Sequence, residues 1–235
     1  MRYEFATPEA PKLRVSNPSG RVEIEAAPRA ETIVEVEGSD AEEIAVEQRG
    51  REIVVERKRK LGRGGGSLEI RILAPEGADA ELELASADTR TTGPLGDVRV
   101  RTASGDMQLD AVDGRLDVST ASGDVVVAAA SGGGTIRTAS GDVVVREAGG
   151  RLGVLTASGD LVVGAIAEGG LDLKSASGDM RVGIAAGSRF HVDARSLSGE
   201  TSSDIEVLGV ETAVEGPLVE LKATSMSGDI RLTRA

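Results

Sequence analysis

Five aspartates stand 18 residues apart, Asp88, Asp106, Asp124, Asp142 and Asp160, and four of them close a Ser-Gly-Asp triplet. The triplets are Ser104-Gly105-Asp106, Ser122-Gly123-Asp124, Ser140-Gly141-Asp142 and Ser158-Gly159-Asp160, and Ser177-Gly178-Asp179 follows one residue late. If each turn of chain lies on the last, the carboxylates form a column with a step of about 4.8 Å. Such a column could clasp Ca²⁺ through Asp106, Asp124, Asp142 and Asp160. Calcium takes roughly six to eight oxygens, whereas the motif offers one carboxylate per repeat. Neighbouring carboxylates at this spacing repel by only about 1 kcal/mol in water, so no cation is needed to hold them. The favoured chemistry is structural: each aspartate accepts backbone N–H groups at its glycine corner and points to water. No metal or other cofactor is expected.

The remaining candidates are weaker. Thr102, Thr120, Thr138, Thr156 and Ser175 form a second column, and Ser104, Ser122, Ser140, Ser158 and Ser177 lie two residues further on. Both share the parity of neighbouring Val and Leu residues. They are therefore expected to point inward, as hydroxyl ladders bonded between coils and to corner backbone, not outward as an ice-binding face. The outward column is then Ala103, Ala121, Ala139, Ala157 and Ala176, a flat surface that a partner could use. His191 is the single histidine, and no G-x-S-x-G elbow accompanies it, so a Ser-His-Asp site is not expected. Gly62 to Ser67 is glycine-rich without the G-K-[ST] ending of a phosphate loop. Arg57, Lys58, Arg59, Lys60 and Arg63 read as a solvated hairpin tip. A polysaccharide-cleaving site would use paired acids as general acid and base. The turns here are too short to wall a sugar groove, so catalysis is not expected.

These columns need strands to hold them. In the stretch from Leu116 to Val127, Leu116, Val118, Thr120 and Ser122 share one parity, but after Gly123-Asp124 the apolar residues are Val125 and Val127. The inward face has shifted by one, which requires a corner. Glycine reaches the positive φ that such a corner needs. A second glycine column, Gly96, Gly114, Gly132 and Gly150, marks another corner nine residues on. Two short strands and two tight turns make one rung, and a fixed period implies a solenoid whose coils bury apolar residues against their neighbours. The template recurs at Leu13-Val15-Asn17-Ser19-Gly20-Val22-Ile24 and at Leu221-Ala223-Ser225-Ser227-Gly228-Asp229-Ile230-Leu232. The stretch 25–80 is less regular, although Val34 and Val36, Ile53 to Val55, and Leu68, Ile70 and Ile72 read as strands. One domain is expected over 1–235: less regular coils at 1–80, regular repeats at 81–182, and coils with longer loops at 183–235, bulging near Gly187 and between Ser202 and Pro217.

The period fits several solenoids. A hexapeptide helix fails because stepping by six from Val118 meets Asp124, and calcium-binding nonapeptide repeats separate Gly from Asp by one residue whereas here they are adjacent. The run from Val118 to Val127, the opening Glu4-Phe5-Ala6-Thr7-Pro8-Glu9 and the segment Ile72-Leu73-Ala74-Pro75-Glu76-Gly77 resemble the putative-adhesin β-strand-repeat domains also called Toastrack domains. The resemblance covers nearly the whole chain. It implies an all-β, right-handed parallel β-solenoid of poorly defined function, linked in some members to bacterial envelope stress, with no agreed catalytic residues. Bactofilins, polymerising β-helices with similarly short rungs, are a second and weaker resemblance.

Composition narrows the partners. Hydrophobic residues make up 40% of the 235 and aromatics 1%, so the core must be aliphatic. A net charge of -12 opposes nucleic acid and anionic membranes, and base-stacking platforms are lacking. There is no cysteine, which removes disulfides and thiolate chemistry. The first eleven residues carry no apolar signal core and no run approaches a membrane span, so a cytoplasmic protein without membrane insertion is expected. The expected function is a non-catalytic scaffold or protein-interaction module that binds a protein partner or a second copy of itself, either through a lateral face or by end-to-end stacking of terminal coils. An uncovered last rung after Leu232, guarded by Arg231 and Arg234, is the expected open end. The alternative is a carbohydrate-binding adhesin or carbohydrate-active enzyme.

Overall fold

The computed structural model describes residues 1–58, 66–204 and 216–235. The basic residues Arg59, Lys60 and Arg63, most of the glycine-rich run and the centre of the loop before Pro217 lie outside the described residues.

The repeat folds as its parity requires. Leu116–Ser122 is one strand, Gly123-Asp124 the corner, and Val125–Ala130 the second strand. Leu116, Val118 and Thr120 are buried before the corner, and Val125 and Val127 after it. At the corner Gly123 has φ of +111°, and Gly141 in the next coil has +124°. A Cβ on Gly141 would stand 2.3 Å from the carbonyl oxygen of Gly123. Conformation and close stacking therefore both demand glycine.

Each coil lies parallel and in register on the next. Val118 sits beside Val100 on one side and Ile136 on the other, and Val154, Leu173 and Ala223 continue the column. Leu109, Val127, Val145, Val163, Val182 and Leu232 form the facing column. All are buried. Burying an aliphatic side chain of this size contributes about 1.5–3 kcal/mol relative to exposure, so stacked columns suffice without aromatics. The chain is an all-β solenoid, and every described strand belongs to one hydrogen-bonded sheet.

Both ends depart from chain order. Lys12–Ala27 is slotted between Asp79–Thr92 on one side and Glu52–Arg57 with Leu68–Pro75 on the other, parallel to all three. Beyond that first coil the strands reverse. Glu31–Gly38 runs antiparallel to Leu68–Pro75, Arg2–Ala6 antiparallel to Glu31–Gly38, and Ile44–Arg49 antiparallel to Glu52–Arg57. This layer closes the core: Ile53, Val55, Leu68, Ile70 and Ile72 of the first coil are all buried, as are Val34, Val36 and Ile44 above them.

At the other end Leu218–Ser227 pairs with both Gly169–Ser177 and Arg189–Ser198. Ile230–Arg234 likewise lies between Met180–Ile184 and Thr201–Ser203. The last coil in sequence is thus interior, and Arg189–Ser203 is the outermost of the described coils. This corrects the expected open rung after Leu232. It also corrects the guarding role of Arg231 and Arg234: Arg231 pairs with Asp204 at 3.1 Å, and Arg234 lies 5.9 Å from the centre of the Phe190 ring. The widened motif spacing has its cause here, because the chain steps over a position and returns to fill it. Near Gly187 there is no bulge; Ala185 to Ser188 make a tight turn closed by the Ser188 N–H to the Ala185 carbonyl at 3.3 Å.

Candidate functional site

The Ser-Gly-Asp column is a hydrogen-bond ladder between coils. Asp88 Oδ1 accepts the N–H of Asp106 at 3.1 Å, Asp106 that of Asp124 at 3.0 Å, and Asp124 that of Asp142 at 2.9 Å. Asp142 serves Asp160 at 2.8 Å, Asp160 serves Asp179 at 2.9 Å, Asp179 serves Asp229 at 2.9 Å, and Asp229 serves Glu200 at 2.8 Å. The expected capping occurs, but each carboxylate caps the corner of the next coil and not its own. Among the described residues no group of three or more His, Asp or Glu side chains gathers as a metal site. A shorter ladder on the opposite corner was not anticipated: Asp79 accepts the Asp97 N–H and Asp97 the Arg115 N–H, both at 2.8 Å. Its signal was the same 18-residue step, taken from Asp79.

The hydroxyl columns divide. Thr120, Thr138, Thr156 and Ser175 are buried, and each donates to the carbonyl two residues on, for example Thr120 to Ser122 at 2.7 Å. Ser122, Ser140, Ser158 and Ser177 are exposed and Ser104 is half-buried, contrary to the inward expectation. The chain already swings outward at the corner, so it is the serine carbonyl that turns to the threonine hydroxyl. The hydroxyls accordingly close their own corner and do not form the expected ladder between coils, apart from a 3.3 Å contact of Thr102 with the Ala85 carbonyl and, in the outer coil, the 2.9 Å bond that Ser196 donates to the Gly228 carbonyl.

With the serines outside, the outward face gains an uncharged strip. Ala85, Ala103, Ala121, Ala139, Ala157 and Ala176 are exposed, and the serines run beside them. Asp106, Asp124, Asp142 and Asp160 border one side; Arg101, Arg137 and Lys174 stand on the other. In the last two coils the alanine position is taken by Met226, 59% exposed, and Leu197, 83% exposed.

Near the open end a shallow groove of about 370 Å³ crosses the same sheet, lined by Arg151, Asp172, His191, Asp193, Glu220 and Lys222. Gly170 also lines the groove and adds no side chain to it. His191 stands in register with Glu220. The acids there have cationic partners: Glu220 pairs with Arg151 at 3.2 Å, Asp172 with Lys174 at 3.2 Å, and Asp193 with Arg195 at 2.8 Å. At the capped end Arg57 is half-buried and ion-paired with Asp40 and, at 3.2 Å, with Glu43, so it is not part of a solvated tip. The Gly66 N–H and Arg57 hold the Asp40 carboxyl below the usual aspartate range.

The family model described as Toastrack DUF4097 matches residues 11–233. The chain belongs to the Toastrack family. No curated protein matches this Toastrack sequence. Among solved structures, a putative adhesin of Bacteroides fragilis is 12% identical with a TM-score of 0.60, over 99% of this chain and 96% of that one. A putative adhesin of Parabacteroides distasonis is 11% identical with a TM-score of 0.55, over 98% and 96%. One of Parabacteroides merdae is 12% identical with a TM-score of 0.53, over 98% and 95%. At these identities the likeness carries the Toastrack fold alone. In the described residues no helix is long and apolar enough to cross a membrane.

Proposed function

We propose that this Toastrack chain is a non-catalytic interaction module that engages a protein partner along its Ala–Ser strip. The observation that carries the reading is the strip itself: exposed, uncharged and several coils long on a chain of net charge -12. A flat surface with an acidic column on one side and, on the other, the cations Arg101, Arg137 and Lys174 alternating with Ser119 and Leu155 suits an extended partner held by shape and by charge at its edges. The acids of the groove are ion-paired and no described segment walls it off from water, so the reading invokes no catalysis. A role in bacterial envelope stress and action in the cytoplasm belong to this same proposal.

The test is a pull-down from the native host with the wild-type chain and with Ala121→Lys, Ala139→Lys and Ala157→Lys combined. Alanines on exposed strand positions tolerate lysine, so the variant should fold while losing the partner. A partner retained by the triple variant, or none recovered by either protein, counts against the strip. The second reading is a carbohydrate-binding adhesin; the similar solved structures are putative adhesins, which agrees with adhesion and says nothing of the ligand. Binding on a glycan array that survives the lysine substitutions would replace the first reading with the second.

A further inference from the structure

We infer that two copies of the chain associate through their open ends, forming a closed dimer and not a filament. The two ends of the solenoid differ. At the N-terminal end an antiparallel layer covers the first coil, and its short outer strand Arg2–Ala6 carries the exposed charges Arg2 and Glu4, which guard an edge against pairing. The Arg189–Ser198 end has no such layer among the described residues. Its ten-residue strand pairs with Leu218–Ser227 on one side and with no described strand on the other.

The core is open there as well. Val219, Leu221 and Ala223 are buried, while Phe190, Val192 and Ala194, their counterparts one coil further out, are only half-buried. An edge of unpaired backbone beside a half-exposed apolar layer is a template for another strand.

Charge identifies the occupant as a second copy. Asp193 and Arg195 lie two residues apart on the outward face, bonded to each other at 2.8 Å and 3.3 Å. In an antiparallel pairing centred on Ala194, Asp193 of each copy stands opposite Arg195 of the other, so the same pair is satisfied twice across a two-fold axis. Leu197 then lies opposite His191. Such an interface uses one patch on both copies and closes on itself. Because the other end is capped, growth stops at two.

The lateral strip takes no part in this inference, so a monomeric result leaves the partner reading standing, and a failed pull-down leaves the dimer standing. The experiment is sedimentation velocity over a concentration series. The wild type should shift to twice the 24.1 kDa chain mass. Asp193→Arg puts only cations at the interface and Arg195→Asp only anions, so each variant alone should dissociate at least tenfold more readily. Mixing the two should restore the dimer, because a cationic copy then faces an anionic one. Loss of the intramolecular ion pair cannot give that restoration. A wild-type mass that stays at one chain, a mass that keeps growing with concentration, or a mixture no more associated than its components overturns the inference.

Discussion

Asp142 Oδ1 accepts the backbone N–H of Asp160, the equivalent residue one coil on, at 2.8 Å. The side chain of each coil thus completes the corner of its neighbour, and the repeat is chemically as well as geometrically periodic. Removing the acceptor in Asp142→Ala should cost about 1 kcal/mol, the usual value of a capping side chain. Asp142→Asn keeps the acceptor and should stay within a few tenths of a kcal/mol of wild type. Urea denaturation of both variants measures the difference, and equal losses would show that charge, not the hydrogen bond, matters.

The same bond bears on calcium. One oxygen of each corner carboxylate is already engaged with backbone, and each lies on a separate coil. Thermal melts in millimolar calcium and in chelator should have the same midpoint. A rise of several degrees with calcium would restore Asp106, Asp124, Asp142 and Asp160 as a metal column.

Glycine substitutions should separate conformation from contact. Gly50 has φ of +64° with nothing near its missing side chain, whereas at Gly141 a Cβ would press on the Gly123 carbonyl oxygen. Gly50→Ala should cost about 1 kcal/mol, the ordinary left-handed penalty. Gly141→Ala adds a steric clash that can be relieved only by separating two coils, and about 3 kcal/mol or more is expected. Similar denaturation midpoints for the two variants would contradict this.

The interior of the array was legible because every coil solves one packing problem with one set of residues. Leu116, Val118, Gly123 and Val125 state the whole arrangement, and their neighbours repeat it. Neighbour order at the ends was not legible, for the same reason. Leu221, Ala223 and Ser225 fit against Leu171, Leu173 and Ser175 no differently than Val192, Ala194 and Ser196 would, so an apolar period cannot say which coil lies inside. The serine column was misplaced because parity stops predicting orientation where the chain leaves the strand, at Ser122 before Gly123.

Acid should weaken the N-terminal half through Glu81. Lys12 donates to Glu81 at 2.7 Å and holds its carboxyl below the usual glutamate range, with partial burial opposing. A carboxyl whose folded pKa is depressed adds stability above its unfolded value, about 4.3, and loses it as pH falls through the folded one. The pair is partly solvated, so the loss should be below about 1 kcal/mol. Lys12→Met should flatten the decline of stability between roughly pH 5 and 3 relative to wild type. An unchanged slope would remove Glu81 from the account.

The exchanged order of the last two coils makes a prediction that chain order alone would reverse. Among the described strands, Leu218–Ser227 has a neighbour on both sides and Arg189–Ser198 has one, although the first segment is nearer the C-terminus. Strand edges open at lower free energy than interior strands. In the Arg195→Asp variant, kept dilute so that ends do not associate, hydrogen exchange should therefore be slower across Val219 to Ser227 than across Phe190 to Ser198. For the same reason, truncation after Pro217 should not trim an end. It removes Val219, Leu221, Ala223, Ile230 and Leu232 from the buried core and leaves Arg189–Ser203 without its parallel neighbour. The truncated chain should lose protection in both 169–184 and 189–203, whereas a terminal coil would fray without affecting 169–184.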